Sequence, residues 1–374
     1  MTVAPTTYEE VADTLRAAAA DGRRARVRGT GTRLHWGAPT EPPEVELSTK
    51  RLEGIVEHNA GDLTAVAQAG LPLRRLREEL AAAGQMLALD PPGEGTVGGL
   101  FATADSGPLR HRHGAPRDLV LGMTVALSDG TLARAGGKVI KNVAGYDLAK
   151  LFTGSYGTLG AILEVAVRLH PLPPATATAI GASADPAVVA RGAAELTHAR
   201  IEAQCLDLAW AGGEGRVLVR FAGAEAASQA AGAARILEAV RFEVGVEDDD
   251  DALWNRQRAG QRSDDGIVVR VSGVQTQLAE QMRAAQEAGG SLVGRAALGL
   301  SWITLPQAAA AAVAEIRRAL SPAPCVVLDA PEDVRRQLDV WGVDDSPAIE
   351  LMRRVKRRFD PAGACSPGVL VGGI

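Results

Sequence analysis

Three glycine-rich segments hold the residues whose types and spacing could do chemistry. The first reads Arg28-Gly-Thr-Gly-Thr-Arg33. The second runs Gly95-Thr-Val-Gly-Gly-Leu-Phe-Ala-Thr-Ala-Asp-Ser-Gly107. The third joins Lys141-Asn-Val-Ala-Gly-Tyr-Asp147 to Gly154-Ser-Tyr-Gly-Thr-Leu-Gly160. Glycine lacks a Cβ and tolerates positive φ, so such loops let backbone N–H groups approach an anion. A diphosphate laid across several of them would be held mostly by main chain, which points to a dinucleotide. Neither of the two commonest nucleotide motifs fits. A Gly-x-Gly-x-x-Gly fingerprint would need glycine where Leu34 stands, and Gly154, Gly157 and Gly160 are in the wrong register. Gly137-Lys138 is followed by Val139, not by the Ser or Thr of a phosphate-binding P-loop. Taken singly, each loop reads equally well as a turn.

The elements that must position these loops follow from local pattern. Tyr8–Asp21 has helical spacing and stops at Gly22. Ala25–Arg28 reads as a strand feeding the first loop. Glu44–Leu47, Leu52–His58 and Leu63–Ala69 also read as strands, and Pro72 opens a helix that ends before Gly84. Short strands with few helices suit an α+β domain better than a repeating βαβ chain. His170-Pro-Leu-Pro-Pro174 stops any regular element and marks the best boundary. Beyond it, helices at Asp185–Leu196, Glu225–Ala239, Val274–Ala288 and Gln307–Leu320 alternate with strands. The strands fall at Ala203–Trp210, Arg216–Ala222, Ile267–Ser272, Leu292–Ala297, Leu300–Leu305 and Cys325–Leu328. That alternation predicts an antiparallel sheet covered on one face. The expected organisation is residues 1–172, then a cap at 173–346, then a segment 347–374 that returns to the first domain. Asp248–Asp251 reads as an exposed turn, and Arg353–Arg358 as the solvated face of a helix.

Composition bounds the partners. At 374 residues, the chain suits two domains. The net charge of −5 and 3% aromatic content argue against nucleic acid. Three scattered cysteines suggest neither a disulfide framework nor a metal or iron–sulfur site. Cys205 and Cys325 read as small buried hydrophobes, and Cys365 as that or a partly exposed thiol. No basic-then-apolar leader and no run of about 18 apolar residues is found. The expectation is a cytoplasmic protein with no membrane span, any membrane association coming through a partner.

The order of the three loops resembles the FAD-binding domain of the vanillyl-alcohol oxidase / p-cresol methylhydroxylase family. Arg28–Arg33 resembles that family's pyrophosphate loop. Thr96-Val-Gly-Gly99 through Gly107 resembles its second phosphate segment, and Gly157-Thr-Leu-Gly-Ala-Ile162 its last strand. Asp118-Leu-Val-Leu-Gly122 and Val125–Gly130 match the strand and hairpin between them. Phe359-Asp-Pro-Ala-Gly363 and Pro367-Gly368 resemble its C-terminal signature, with Ser366 and Val369 in place of an Asn and an Arg. The likeness is good over roughly 20–170 and again at 350–370. Within the family, Ser106-Gly-Pro-Leu-Arg110 and Lys138–Asp147 are most similar to the FAD-binding E subunits of glycolate oxidase.

The resemblance implies a two-subdomain PCMH-type FAD-binding domain followed by a smaller α+β cap with an antiparallel sheet. It implies FAD held by Arg28, Gly29, Thr30, Gly31, Thr32, Arg33, Pro92, Thr96, Gly98, Gly99, Thr103, Gly107, Lys141, Asn142, Gly157, Gly160 and Ile162. Some relatives link FAD to a histidine just after the first loop. Here that position is Thr32 or Arg33, with His35 nearby as a turn residue, so FAD is expected to be non-covalent. Related D-2-hydroxyacid dehydrogenases hold a metal and substrate with two cap histidines. The six histidines here end at His198, so the resemblance implies no metal and leaves the catalytic residues unassigned. It implies a subunit of a glycolate-oxidase-like complex, working with a larger FAD subunit and an iron–sulfur subunit on a small 2-hydroxy acid. A stand-alone FAD dehydrogenase or oxidase and a non-catalytic scaffold remain alternatives.

Overall fold

The computed structural model describes residues 1–138, 146–306 and 310–374. Thr7 caps the first helix, Tyr8–Ala20, by accepting from Glu10 N–H at 3.2 Å. The helix buries Val11, Leu15 and Ala18, at the spacing that lines one helical face. That face packs on a three-stranded parallel sheet of Thr2–Val3, Val45–Ser48 and Ala25–Arg28. Beside it lies a five-stranded antiparallel sheet in the order Ile55–Asn59, Thr64–Gln68, Ala161–Arg168, Val120–Ala126, Leu132–Gly136. Leu73–Ala82 and the short helix Val97–Thr103 pack on it through Leu76, Leu80, Leu100 and Phe101.

The second unit is an eight-stranded antiparallel sheet. Its order is Glu243–Glu247, Thr176–Ser183, Glu214–Ala222, Cys205–Ala211, Ser291–Arg295, Leu300–Leu305, Ile267–Ser272, Cys325–Asp329. One face buries the helices Pro186–His198, Ala226–Ala239, Leu278–Glu287 and Ala310–Ala319. The other face is also covered. Val268, Trp302, Val326 and Leu328 pack against Trp36 of the first unit, and Leu218 packs with Leu253 and Trp254. The expectation of one covered face is therefore corrected.

Two strands escape the sequence pattern. Thr176–Ser183 dilutes Thr176, Thr178 and Ile180 with three alanines and a glycine, which carry little strand propensity. It pairs along its whole length with Glu214–Ala222, and Gly181 leaves room for the Phe242 ring, 2.8 Å from where a Cβ would stand. Glu243–Glu247 adds to its edge. Asp250, expected in an exposed turn, is 2% exposed. Its carboxylate accepts from Thr178 Oγ1 at 2.6 Å and from Arg220 Nη2 at 2.6 Å. The expected helix at Val274–Ala288 opens as a tight turn, Gln275–Gln277, before the α-helix Leu278–Glu287. All three cysteines are buried, so the exposed-thiol option for Cys365 falls.

The chain ends against its own beginning. The helix Pro347–Phe359 carries Lys356, which is buried and not part of a solvated face. Its ammonium donates to Thr158 O at 2.7 Å, Cys365 O at 2.8 Å and Asp360 Oδ2 at 2.5 Å. Asp360 in turn accepts from the N–H groups of Ala364 and Cys365. Ala25 N–H donates to Ala364 O, and Ser366 N–H to Ala25 O. The segment Ala364–Ser366 is thereby held beside the strand that feeds the first glycine loop.

Candidate functional site

A cleft of about 850 Å³, its open mouth included, lies where the three glycine segments converge. That is within the usual range of small-molecule sites, roughly 300–1,000 Å³. Arg28, Gly29, Thr30, Gly31, Thr32 and Arg33 form one wall. Thr96, Gly98, Gly99 and Thr103 form the second, and Gly157, Gly160 and Ile162 the third. The first wall is the most telling. Among the described residues, none of the five backbone N–H groups from Gly29 to Arg33 donates to a protein acceptor. A row of unpaired N–H groups facing a cleft suits an anionic ligand.

Several side chains expected on the ligand are committed elsewhere. Arg33 is 8% exposed. Its guanidinium donates to Asp105 Oδ2 at 2.7 Å, Pro92 O at 2.8 Å, Glu94 O at 2.9 Å and Thr32 Oγ1 at 2.9 Å. With Nη2 also 2.6 Å from Asp105 Oδ2, all five donors are taken, so Arg33 ties the first loop to the second and has none left to offer. Arg28 pairs with Glu46 at 2.8 Å. Thr32 Oγ1 donates to Glu94 O, and Thr103 Oγ1 to Gly99 O inside the helix. Thr96 caps the helix Val97–Thr103 by accepting from Gly99 N–H. Pro92 and Gly107 stand behind the wall. Pro92 offers its carbonyl to Arg33, and a Cβ at Gly107 would lie 1.8 Å from Asp90 O. Lys141 and Asn142 lie outside the described residues.

The glycines divide the same way. A Cβ on Gly29 would meet Thr96 Oγ1 at 2.2 Å, and one on Gly98 would meet Ala69 Cβ at 2.5 Å. These two let the walls approach each other. Gly31 and Gly157 have φ of +85° and +74°, which non-glycine residues rarely adopt.

Sequence reasoning missed Val27, Leu34, Trp36, Ala69, Ala102 and Tyr156 in the lining, which also includes Ser366 and Val369 of the C-terminal signature. Nothing local announced Trp36 or Tyr156. Tyr156 holds φ +56° and stacks edge-on against Trp341 at 5.5 Å. His35 is not on the cleft wall, and its Nε2 lies 2.8 Å from Asp329 Oδ1.

Residues 1–136 match the family described as FAD binding domain. The chain carries an FAD-binding domain of the p-cresol methylhydroxylase type. It is 38% identical over 153 residues to glycolate oxidase subunit GlcE of Escherichia coli (strain K12), which covers 40% of this chain and 43% of that one. It is 41% identical over 150 residues to glycolate oxidase subunit GlcD of Bacillus subtilis (strain 168), covering 39% and 32%. The matches thus span less than half the length of these curated relatives. In fold, it is similar to alkyldihydroxyacetonephosphate synthase, with a TM-score of 0.72 at 16% identity over 97% of this chain and 76% of that one.

FAD is the cofactor of this domain, and the cleft fits it. The unpaired N–H groups of Gly29–Arg33 suit its diphosphate. The aliphatic walls formed by Val27, Ala69, Ala102 and Ile162 suit its rings. The FAD-binding domain's last wall depends on the C-terminal helix, because Lys356 pins Thr158 beside Cys365.

Proposed function

We propose that this chain is the FAD-binding subunit of a glycolate-oxidase-like complex. It takes part in oxidising a small 2-hydroxy acid, glycolate to glyoxylate, and hands the electrons to a partner. The observation that carries this reading is the main-chain cradle, in a chain whose relatives include two glycolate oxidase subunits. FAD, when bound, accepts the hydride equivalent from the substrate carbon. The chain's own residues bind the diphosphate by backbone, hold the loops in register through Arg33, and close the ring end with Trp36 and Tyr156. The FAD is bound without a covalent link, since Thr32 and Arg33 stand where some relatives carry the linking histidine and His35 lies off the cleft wall. A larger FAD subunit and an iron–sulfur subunit complete the complex, in the cytoplasm or at a membrane through a partner. Among the described residues, no helix is long and apolar enough to cross a membrane.

The test is anaerobic reduction of the purified yellow protein by glycolate, alone and with the partner subunits. Flavin that bleaches only in the complex supports the proposal. Rapid bleaching of the isolated chain would favour a stand-alone dehydrogenase. A colourless chain that takes up no FAD would leave a scaffold.

A further inference from the structure

Tyr156 stands on the wall of the cofactor cleft at φ +56°, a conformation that bulky side chains rarely adopt. Strained backbone of this kind persists where the surroundings over-determine it, and it gathers at functional sites. Both units hold Tyr156 in place. Its N–H donates to Ala102 O at 2.8 Å, across to the second glycine segment. Its ring meets Trp341 of the second unit edge-on at 5.5 Å and packs against the cluster that contains Trp36 and Trp302. Trp341 in turn donates its indole N–H to Val369 O at 3.1 Å.

The ring is therefore fixed, while its hydroxyl is uncommitted. The chain has three tyrosines. Tyr8 bonds to Glu164 at 3.0 Å, and Tyr146 is 92% exposed on the surface. Among the described residues the Tyr156 hydroxyl makes no hydrogen bond, and it is not sealed off, so it opens on the cleft. Burial lifts the phenol above its ordinary value, with Asp105 adding to the rise and the Arg270 and Arg335 charges opposing it. The hydroxyl thus keeps its proton at neutral pH and can donate. Arg33, Thr32, Thr96 and Thr103, by contrast, already serve protein partners.

Position decides what this donor can reach. The loop Gly29–Arg33 suits the diphosphate, which leaves the two ring systems of FAD on either side of it. Val27, Ala69 and Ile162 line one part of the cleft and belong to the cores of the first unit. Trp36 and Tyr156 line another part and pack against the second unit. A ring that exchanges electrons with a substrate or a partner belongs at that junction.

We propose that Tyr156 is a contact residue for the redox ring of FAD, its hydroxyl donating a hydrogen bond to a polar atom on the ring's edge. Such a bond strengthens as the ring gains negative charge, so it favours the reduced cofactor. The proposal rests on FAD as the cofactor and holds whatever the substrate is.

Tyr156→Phe keeps the ring, the Trp341 contact and the strained backbone, and removes the hydroxyl alone. The midpoint potential of the bound flavin, read by equilibration with a reference dye, is expected to fall by about 30 mV, a roughly tenfold shift of a two-electron couple and the scale of one neutral hydrogen bond. Tyr8→Phe loses a hydroxyl away from the cleft and should keep the parent's potential. Flavin content and melting temperature confirm that each variant is folded and loaded. A merely structural role would move the melting temperature and leave the potential alone, so an unchanged potential in Tyr156→Phe overturns the proposal. A second measurement needs no Tyr156 variant. The chain is labelled with 3-fluorotyrosine, its fluorine resonances are assigned by replacing Tyr8 and Tyr146 in turn, and FAD is titrated into the flavin-free protein. The Tyr156 resonance should shift and the Tyr146 resonance stay. A Tyr156 resonance that FAD leaves unmoved also overturns the proposal. A lowered potential in a protein whose complex glycolate never reduces upholds the Tyr156 contact and removes the hydroxy-acid reading alone.

Discussion

The Trp36 indole N–H donates to Asp329 Oδ1 at 2.8 Å, and this bond joins the cofactor cleft to the edge strand of the eight-stranded sheet. His35 Nε2 meets the same oxygen, and Arg262 Nε donates to Asp329 Oδ2 at 2.7 Å. The Arg33 and Arg262 guanidinium groups stand 5.7 and 5.2 Å from the Trp36 ring. One carboxylate, 2% exposed, therefore orders a cleft residue from across the junction. Burial pushes its carboxyl up, but the hydrogen bonds from His35, Arg262 and Trp36 outweigh that and bring it to about 2.

Asp329→Ala is expected to cost about 3–5 kcal/mol in urea unfolding, because Arg262 and the Trp36 N–H lose a buried partner. It should also weaken FAD binding. Because the folded carboxyl titrates near 2, below the unfolded value of 3.8, its stabilising contribution is present above about pH 4 and lost as pH falls toward 2. Unchanged stability and flavin affinity in Asp329→Ala would show that the junction is held elsewhere.

Arg33 is predicted to act by holding two loops together. Arg33→Met leaves Asp105 buried without its cation and should cost about 3–5 kcal/mol. Adding Asp105→Leu should recover much of that stability, since the unpaired charge is gone. If Arg33 instead held the cofactor directly, the double variant would regain stability and still bind no FAD.

Gly157→Val should abolish flavin binding, because it places a branched side chain at φ +74° on the cleft wall. Gly245→Ala is the proper control, since open space surrounds that position on an edge strand. Gly299→Ala is not neutral. At φ +63° its Cβ would lie 2.6 Å from Gly273 O, so it should destabilise the fold without touching the cleft. Flavin content and melting temperature separate the two effects.

His113 makes stability fall on mild acidification. Its ring packs 4.4 Å from His170, and both Nε2 atoms are buried without partners. Burial first, then His170, Arg112 and Arg168, bring its pKa down to about 4 from 6.5. Between those values the unfolded chain binds more protons, so stability is full above about 6.5 and declines as pH drops toward 4. The ring is partly solvated, so the expected loss is on the order of 1–2 kcal/mol. Urea unfolding of the parent and His113→Gln at pH 7 and pH 5 checks this. The variant should show the shallower dependence.

Acid precipitation should release all flavin into the supernatant. Flavin retained on the denatured chain would show a covalent link.

Much of the cleft was legible locally. Gly31 and Gly157 announce positive φ, and Ala25–Arg28 reads as the strand that delivers the first loop, because these features depend on a few consecutive residues. Helix and strand periods likewise located the elements Tyr8–Ala20, Leu73–Ala82 and Ile267–Ser272 within a residue or two. What contacts decide was not legible. Arg33 reads as a phosphate ligand until Asp105, 72 positions away, is seen to bind it. Asp250 reads as a solvent turn until Thr178 and Arg220 surround it. Lys356 sits in a run of basic residues, yet it is buried where the carbonyls of Thr158 and Cys365 meet it. The sequence by itself determined that backbone could reach an anion at three loops, because glycine permits this whatever surrounds it. Which polar side chains remain free to touch a ligand was decided only by the tertiary structure, because burial commits each of them to the partner that the fold brings nearest.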